Sequence, residues 1–320
     1  MGGSESHAYG INDQGQVVGE ATDVNGIAHA FLYSGGAMTD LGTLGGNVST
    51  VQAINASGQI VGYSATAGGA THAFSYVGGT MTDLGTLGGT SSFAYGVNAS
   101  GQVIGYSTLA SGDERAFLYS SGTLRNLGTL GGPQSFAYHG INDSGTVAGD
   151  SSAKKPGEPF HGFLYTGAAK LKDIGTLGGT DILVRAINSA GQVVGKSLTA
   201  AGGNYDAFVY SGTTMTDLNG QIDASAGWTL NNAEGINTGG QIVGTGLLGG
   251  VEHAYLLTPA GGGGGATGGL TPTVVKETLP DAVISGKATK GTVSVKLTNS
   301  SGSAVKGLAT DSISAGTGLN

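Results

Sequence analysis

Histidine and aspartate recur along the chain at matched positions. His29, His72, His161 and His253 each sit at the head of a short apolar run, as in His29-Ala30-Phe31 and His72-Ala73-Phe74. Asp40, Asp83, Asp173 and Asp217 follow in a second recurring phrase of the Met-Thr-Asp-Leu kind. Imidazole and carboxylate are the groups of metal ligation and of general acid–base work. The substitutions between copies argue against both. Arg115 and Asp206 replace the histidine elsewhere in the series, and arginine does not ligate zinc, so the position accepts any polar tip. Asn126 replaces the carboxylate. An amide keeps the acceptor oxygen and loses the acid, which favours a hydrogen bond at a turn or strand end over proton transfer, and over a calcium site built from clustered carboxylates.

Other chemistry is thinner still. There is no cysteine, so disulfides, thiolate catalysis and cysteine-ligated metals are excluded. The run Gly191-Gln192-Val193-Val194-Gly195-Lys196-Ser197 imitates a phosphate loop but has three residues between its glycines where the motif needs four. No G-x-S-x-G elbow occurs. Asn47, Asn55, Asn98, Asn142 and Asn299 match the glycosylation pattern, three of them only because they sit in one recurring turn. These readings lead to an expectation of no catalytic residue, no cofactor and no metal.

Positions that vary between copies carry more information than constant ones. After the second constant glycine the chain reads Glu20, Tyr63, Tyr106, Asp150, Lys196 and Thr245, a variety that suggests exposure. Tyr63, Tyr106 and Lys196 are therefore candidate ligand-binding residues, together with the single tryptophan, Trp228, which either plugs the last copy or stacks on a sugar or partner surface. The loop 154–159 before Phe160 is a further singular feature.

A repeat positions all of these residues. Asparagines at 12, 55, 98, 142, 188 and 237 are spaced by 43, 43, 44, 46 and 49 residues. Each is followed three residues on by glycine (Gly58 after Asn55-Ala56-Ser57, for example), then by an apolar pair and a second glycine. Asn-Ala-Ser-Gly between apolar runs is a hairpin turn, with asparagine capping the turn and glycine taking the left-handed position. The His-Ala-Phe and Met-Thr-Asp-Leu segments read as a third and a fourth short strand, and no 3.6-residue period survives the glycines. Four short antiparallel strands every 43–49 residues predict an all-β fold, a six-copy β-propeller, in preference to a linear solenoid. Six closing blades would set the asparagines on a ring at steps of about 60°. The Met-Thr-Asp-Leu strand occurs only five times, which predicts 23 strands, a three-stranded closing blade, and a missing strand upstream of Met1. On that count the chain is a fragment beginning inside a repeat, Met1-Gly2-Gly3 matching Leu44-Gly45-Gly46.

The His-Ala-Phe phrase, the Ile-Asn-x-x-Gly-Gln-Val-Val-Gly phrase and the closing variant Ser225-Ala226-Gly227-Trp228 to His253-Ala254-Tyr255-Leu256-Leu257-Thr258-Pro259 resemble the HAF-repeat family of bacterial extracellular repeat proteins, over residues 1–259. The resemblance implies a secreted or surface-displayed propeller-like module and transfers no catalytic residue. Residues 260–272 read as a glycine-rich linker. Residues 273–320, with Val293, Val295 and Leu297 alternating against polar neighbours, resemble the start of an immunoglobulin-like sandwich too short to be complete.

Charge narrows the partners. Residues 1–259 hold 18 acids and 8 bases, and no lysine or arginine precedes Arg115. A phosphate backbone finds no basic track there, so nucleic-acid binding is not expected. No apolar run reaches the about 18 residues of a membrane span. The N-terminus lacks the basic and apolar regions of a signal peptide, which on the family resemblance is expected to have lain upstream. The sequence thus points to a monomeric, non-catalytic binding or display module for a glycan or surface protein. A secreted propeller enzyme acting on polysaccharide, lyase or glycosidase, is the alternative; it needs acids, His, Tyr or Arg converging on one funnel. A purely structural spacer is a third reading. The turn assignment predicts positive φ at Gly58 and its equivalents, and Gly58→Val should cost roughly 1–2 kcal/mol in a denaturation experiment. A gel shift with micromolar affinity for DNA or RNA at physiological salt would overturn the charge argument.

Overall fold

The repeat dictates a local meander before any tertiary contact forms. In the computed structural model, which describes residues 1–153, 160–168, 170–259 and 270–274, strands β1 (Gly2–Ile11), β2 (Val17–Asp23), β3 (Ala28–Ser34) and β4 (Ala37–Asp40) pair antiparallel in that order. The same meander recurs from Gly45–Ile54 to Thr80–Asp83, from Gly88–Val97 to Thr123–Asn126, from Ser135–Ile141 to Lys172–Gly175, from Gly178–Ile187 to Thr214–Asp217, and from Trp228–Ile236 to Leu270–Val274. The second and third meanders join into one eight-stranded sheet through a parallel pairing of Thr71 with Ser91; the others are separate four-stranded sheets. The protein is thus an all-β fold of small antiparallel sheets, and among the described residues no helix is long and apolar enough to cross a membrane. Met1–Val274 forms one compact unit. The loop 154–159, residues 260–269 of the expected linker, and residues 275–320 of the expected immunoglobulin-like tail lie outside the described residues.

Two classes of glycine set the meander. Gly15, Gly58, Gly101, Gly145, Gly191 and Gly240 all have positive φ, between 73° and 84°, as the hairpin assignment requires. The second constant glycine is kept for a different reason. A Cβ on Gly62 or Gly105 would lie 2.0 or 1.8 Å from the carbonyl oxygen of Thr50 or Phe93 on the facing strand, so no side chain fits.

The expected strand deficit is not found. Leu270–Val274, beyond the glycine run, pairs antiparallel with Val251–Pro259 from Pro259↔Leu270 to Tyr255↔Val274 and completes the sixth meander from downstream. Its sequence has nothing of Met-Thr-Asp-Leu. Backbone pairing at a sheet edge does not require that phrase, and an edge strand tolerates Pro272. The segment therefore belongs with the repeats rather than with the linker and tail in which it was expected.

Successive meanders pack face to face through one recurring set of side chains. Val18, Ala30, Leu41, Val51, Ile60 and Phe74 fill the space between the first and second. Val61, Ala73, Leu84, Ala94, Val103 and Phe117 repeat it between the second and third. Equivalent clusters centre on Phe163, Phe208 and Tyr255. Buried serines add polar staples. The Ala30, Ala73 and Ala116 amides donate to Ser49, Ser92 and Ser135 of the following meander at 2.8–2.9 Å.

The turn asparagines do the same at one end of the strands. Each Oδ1 accepts the amide four residues on, closing its own turn at 2.9–3.1 Å. Each Nδ2 of the first five donates to the backbone carbonyl of the next asparagine: Asn12 to Asn55, Asn55 to Asn98, Asn98 to Asn142, Asn142 to Asn188 and Asn188 to Asn237, at 2.9–3.1 Å. Asn98 is 3% exposed, so truncating it orphans buried partners on both sides. Asn98→Ala should cost about 2–3 kcal/mol, and the half-exposed Asn12→Ala less. Urea denaturation of the two variants checks the ranking, and equal effects would count against the ladder as a stacking device.

Candidate functional site

The recurring His and Asp residues meet in pairs. His29 Nδ1 lies 2.8 Å from Asp40, His72 Nδ1 lies 2.8 Å from Asp83, and His161 Nδ1 lies 2.9 Å from Asp173. The other acceptor of each carboxylate takes a turn amide, as in Gly42 N–H to Asp40 at 2.8 Å and Gly85 N–H to Asp83 at 2.7 Å; Asn126 takes Gly128 N–H in the same way at 2.8 Å. The strand-end role inferred from the Asn126 substitution is therefore occupied in these copies. Among the described residues no three His, Cys, Asp or Glu side chains group so as to hold a metal.

A different row of residues is brought together by a defect in the meander. In each first strand the register against the second strand slips three residues before the turn asparagine, between Ala8 and Gly10, Val51 and Ala53, Ala94 and Gly96, Val184 and Ala186, and Ala233 and Gly235. A bulge of this kind re-aims the extra side chain. The residues so placed are Tyr9, Gln52, Tyr95, Arg185 and Glu234. The fourth meander slips over a longer stretch, Phe136 to Gly140, and carries both Tyr138 and His139. His139 is the extra residue that stretches one repeat from 43 to 44. Sequence reading passed over these six positions, although the offset of minus three from each asparagine marks them and their identities differ in almost every copy.

The middle of this row is an aromatic and polar cluster. Tyr95 stands 5.1 Å edge-on from Tyr138, 6.1 Å edge-on from His139 and 5.9 Å, stacked, from Tyr106. His139 Nδ1 lies 3.1 Å from the Tyr95 carbonyl oxygen, which only accepts, so Nδ1 carries the proton and Nε2 keeps its lone pair in the neutral ring. The His139 ring is reached by solvent yet enclosed by protein, and this desolvation lowers its pKa from the ordinary histidine value, with Arg185 adding to the effect and the Tyr95 carbonyl and Glu234 opposing it. Desolvation pushes the Tyr138 hydroxyl up to about 12. Arg185 Nε faces Glu234 at 3.6 Å, beyond hydrogen-bond reach, and has no other partner.

Some buried polar side-chain atoms lack a hydrogen-bond partner. Among the described residues they are Asp150 Oδ2, Arg185 Nε, Asn231 Oδ1 and Asn232 Oδ1. Asp150 Oδ1 accepts the Val184 amide at 2.8 Å, and its side chain is 2% exposed. Burial holds the Asp150 carboxyl well above the usual carboxylate range, and nearby Asp181 adds to the shift. A buried carboxylic acid with a free oxygen beside an arginine with a free N–H is a polar site without its complement.

The positions singled out in the sequence divide. Tyr63 and Tyr106 join the aromatic cluster, with Tyr63 5.1 Å edge-on from Phe93 and Tyr106 stacked on Phe93 at 4.9 Å. They are half-buried rather than exposed, and Asp150, at the same repeat position, is buried, because the bulged first strand of the next meander lies over that face. Lys196 sits apart with its ammonium 4.7 Å from the Tyr205 ring centroid. Trp228 packs against the last inter-sheet core, edge-on to Tyr255 at 6.1 Å. Because the folded-state pKa of Asp150 is raised, the protein binds a proton that the unfolded chain releases from about pH 4 upward. Stability contributed by the neutral acid is full below that pH and falls as pH rises through the folded-state pKa. Asp150→Asn should remove this slope and raise the melting temperature near neutral pH; thermal melts of both proteins across the acid range test it, and parallel curves would refute it.

No family model matches the chain, and no curated protein matches it. Solved structures do. The β-propeller domain of the Trilobed protease from Pyrococcus furiosus, described as having an open velcro topology, aligns with a TM-score of 0.53 at 9% identity over 86% of this chain and 84% of that one. TolB of Acinetobacter baumannii aligns with a TM-score of 0.47 at 11% identity over 76% of this chain and 61% of its own. The six-bladed fucose-recognising lectin of Aleuria aurantia aligns with a TM-score of 0.39 at 15% identity over 87% of this chain and 97% of its own. The first of these likenesses carries the fold and nothing beyond it: the antiparallel meanders are similar to the blades of a β-propeller.

Proposed function

We propose that the chain is a propeller-type module of six blades, of the HAF-repeat kind, that binds a glycan without catalysing its conversion. Its working location is the cell exterior or surface, as the repeat resemblance implies. The observation that carries the reading is the row of unlike side chains at one bulge position. The repeat holds its turn asparagine, core phenylalanine and second-strand glycine nearly constant while this position runs Tyr9, Gln52, Tyr95, His139, Arg185 and Glu234. Half-buried tyrosines offer flat apolar faces for sugar rings, and Arg185, Glu234 and the Nε2 of His139 offer directional polar partners.

The polysaccharide-enzyme reading is supported by Tyr138, His139, Arg185 and Glu234, each near enough to another of the set, or to Asp150, to influence its charge. An imidazole with a free Nε2 and a carboxyl whose pKa is raised by burial are the groups of proton transfer. A glycan array probed with the whole chain separates the readings. Binding of one glycan class, weakened at least tenfold by Tyr95→Ala and by Arg185→Ala, supports the binding module. Release of shortened or unsaturated products from the bound glycan would replace it with the enzyme. Binding unchanged in both variants would remove the bulge row as the site.

A further inference from the structure

The eight phenylalanines divide into two groups. Phe31, Phe74, Phe117, Phe163 and Phe208 are the constant core residues and are at most 4% exposed. Phe93, Phe136 and Phe160 are only half-buried. Phe93 and Phe136 stand on first strands, opposite Tyr106 and Asp150 of the second strands and two residues before the bulge tyrosines Tyr95 and Tyr138. With Tyr63 these rings make one continuous patch across the second, third and fourth meanders. Tyr63 meets Phe93 edge-on at 5.1 Å, Phe93 stacks on Tyr106 at 4.9 Å, and Tyr106 meets Phe136 edge-on at 5.1 Å. Tyr95 and Tyr138 run alongside, 5.1 Å apart, stacked on Tyr106 at 5.9 Å and on Phe136 at 5.8 Å. All six are half-buried, and none belongs to the apolar clusters between meanders. At the same three positions the fifth meander carries Leu183, Arg185 and Lys196, and the sixth carries Asn232, Glu234 and Thr245. Those meanders form the same sheet without aromatic residues there, so the repeat does not need the patch to fold.

We propose that this patch takes a β-1,4-linked glycan chain, at least three sugars long, whose ring substituents are equatorial. The proposal rests on the glycan-binding reading and names its ligand class. Six rings at steps of 5–6 Å offer more flat apolar surface than one pyranose covers, so a single terminal sugar would leave most of it wet. A sugar with equatorial substituents turns its hydroxyls outward in the ring plane and shows carbon–hydrogen faces above and below. An axial hydroxyl closes one of those faces, because pressing it onto an aromatic ring strips its water and gives no hydrogen bond in return. Units of a β-1,4 chain are flipped one to the next, so an axial hydroxyl would cost alternate contacts along the patch. The tyrosine hydroxyls stay un-ionised: desolvation raises Tyr95 and Tyr106 and pushes Tyr138 up to about 12, which leaves neutral groups for the in-plane sugar hydroxyls. Where the aromatic run stops, Arg185 and Glu234 supply polar partners for one end of the bound stretch.

Calorimetry of the whole chain with cellobiose, cellohexaose and β-1,4-mannohexaose tests the proposal. Mannohexaose has the same linkage and length as cellohexaose but an axial hydroxyl on each sugar. Cellohexaose should bind at least tenfold more tightly than cellobiose and at least fivefold more tightly than mannohexaose. Tyr95→Leu and Phe136→Leu keep an apolar side chain but remove the flat face; each should retain the circular dichroism of the parent and weaken cellohexaose binding at least tenfold. Equal affinity for cellobiose and cellohexaose would overturn the extended chain, and equal affinity for the two hexamers would overturn the equatorial requirement. Cellohexaose binding that survives in both folded variants would remove the patch as its site. Silence toward all three sugars, with another glycan bound on an array, would overturn the ligand class and leave the glycan-binding reading standing. Silence toward every glycan would overturn both.

Discussion

The asparagine at each of the first five hairpin turns satisfies two demands with one side chain. Its oxygen closes the turn on which it stands, and its amide reaches the carbonyl of the next asparagine, 43–49 residues away. An aspartate would keep the first bond and lose the second, having no donor; a serine is too short to make both. This coupling ties the local hairpin to the stacking of meanders. Without it the sheets would still have apolar faces, but nothing directional would fix the register in which one face meets the next.

The glycines follow from that geometry. The bulge before the asparagine pushes a carbonyl of the first strand toward the second strand, and the constant glycine there is the residue with no Cβ to be struck. The same bulge turns one side chain per meander out of the alternating pattern. That position varies from copy to copy, and it is where the tyrosines, histidine, arginine and glutamate accumulate. Unlike residues can accumulate on near-identical units because the bulge position stands outside the apolar inter-sheet clusters.

The buried orphans fit the same picture. A repeat unit that packs only apolar atoms and satisfied serines has no structural use for an unpaired carboxyl at Asp150 or an unpaired Nε at Arg185. Each costs free energy that a leucine or a glutamine there would avoid. Their placement near Tyr138 and His139 ties that cost to the cluster rather than to the scaffold.

The repeat period, the turn chemistry and the alternation of short apolar runs are local properties, and they determined the four-stranded meander, the positive φ at Gly58 and its equivalents, and the turn role of Asp40 and Asn126. The pairing of His29 with Asp40 was hidden because the two positions lie on neighbouring strands and no local rule joins them. The exposure expected at Tyr106 and Asp150 failed because burial there depends on the strand of the next meander, which period-two reasoning within one strand does not see. The fourth strand of the last meander was illegible because an edge strand needs only backbone pairing, which Leu270–Val274 supplies without the repeat's side chains. The offset of minus three from each asparagine was present in the sequence throughout, but it acquires meaning only once a register slip turns those side chains to a common row.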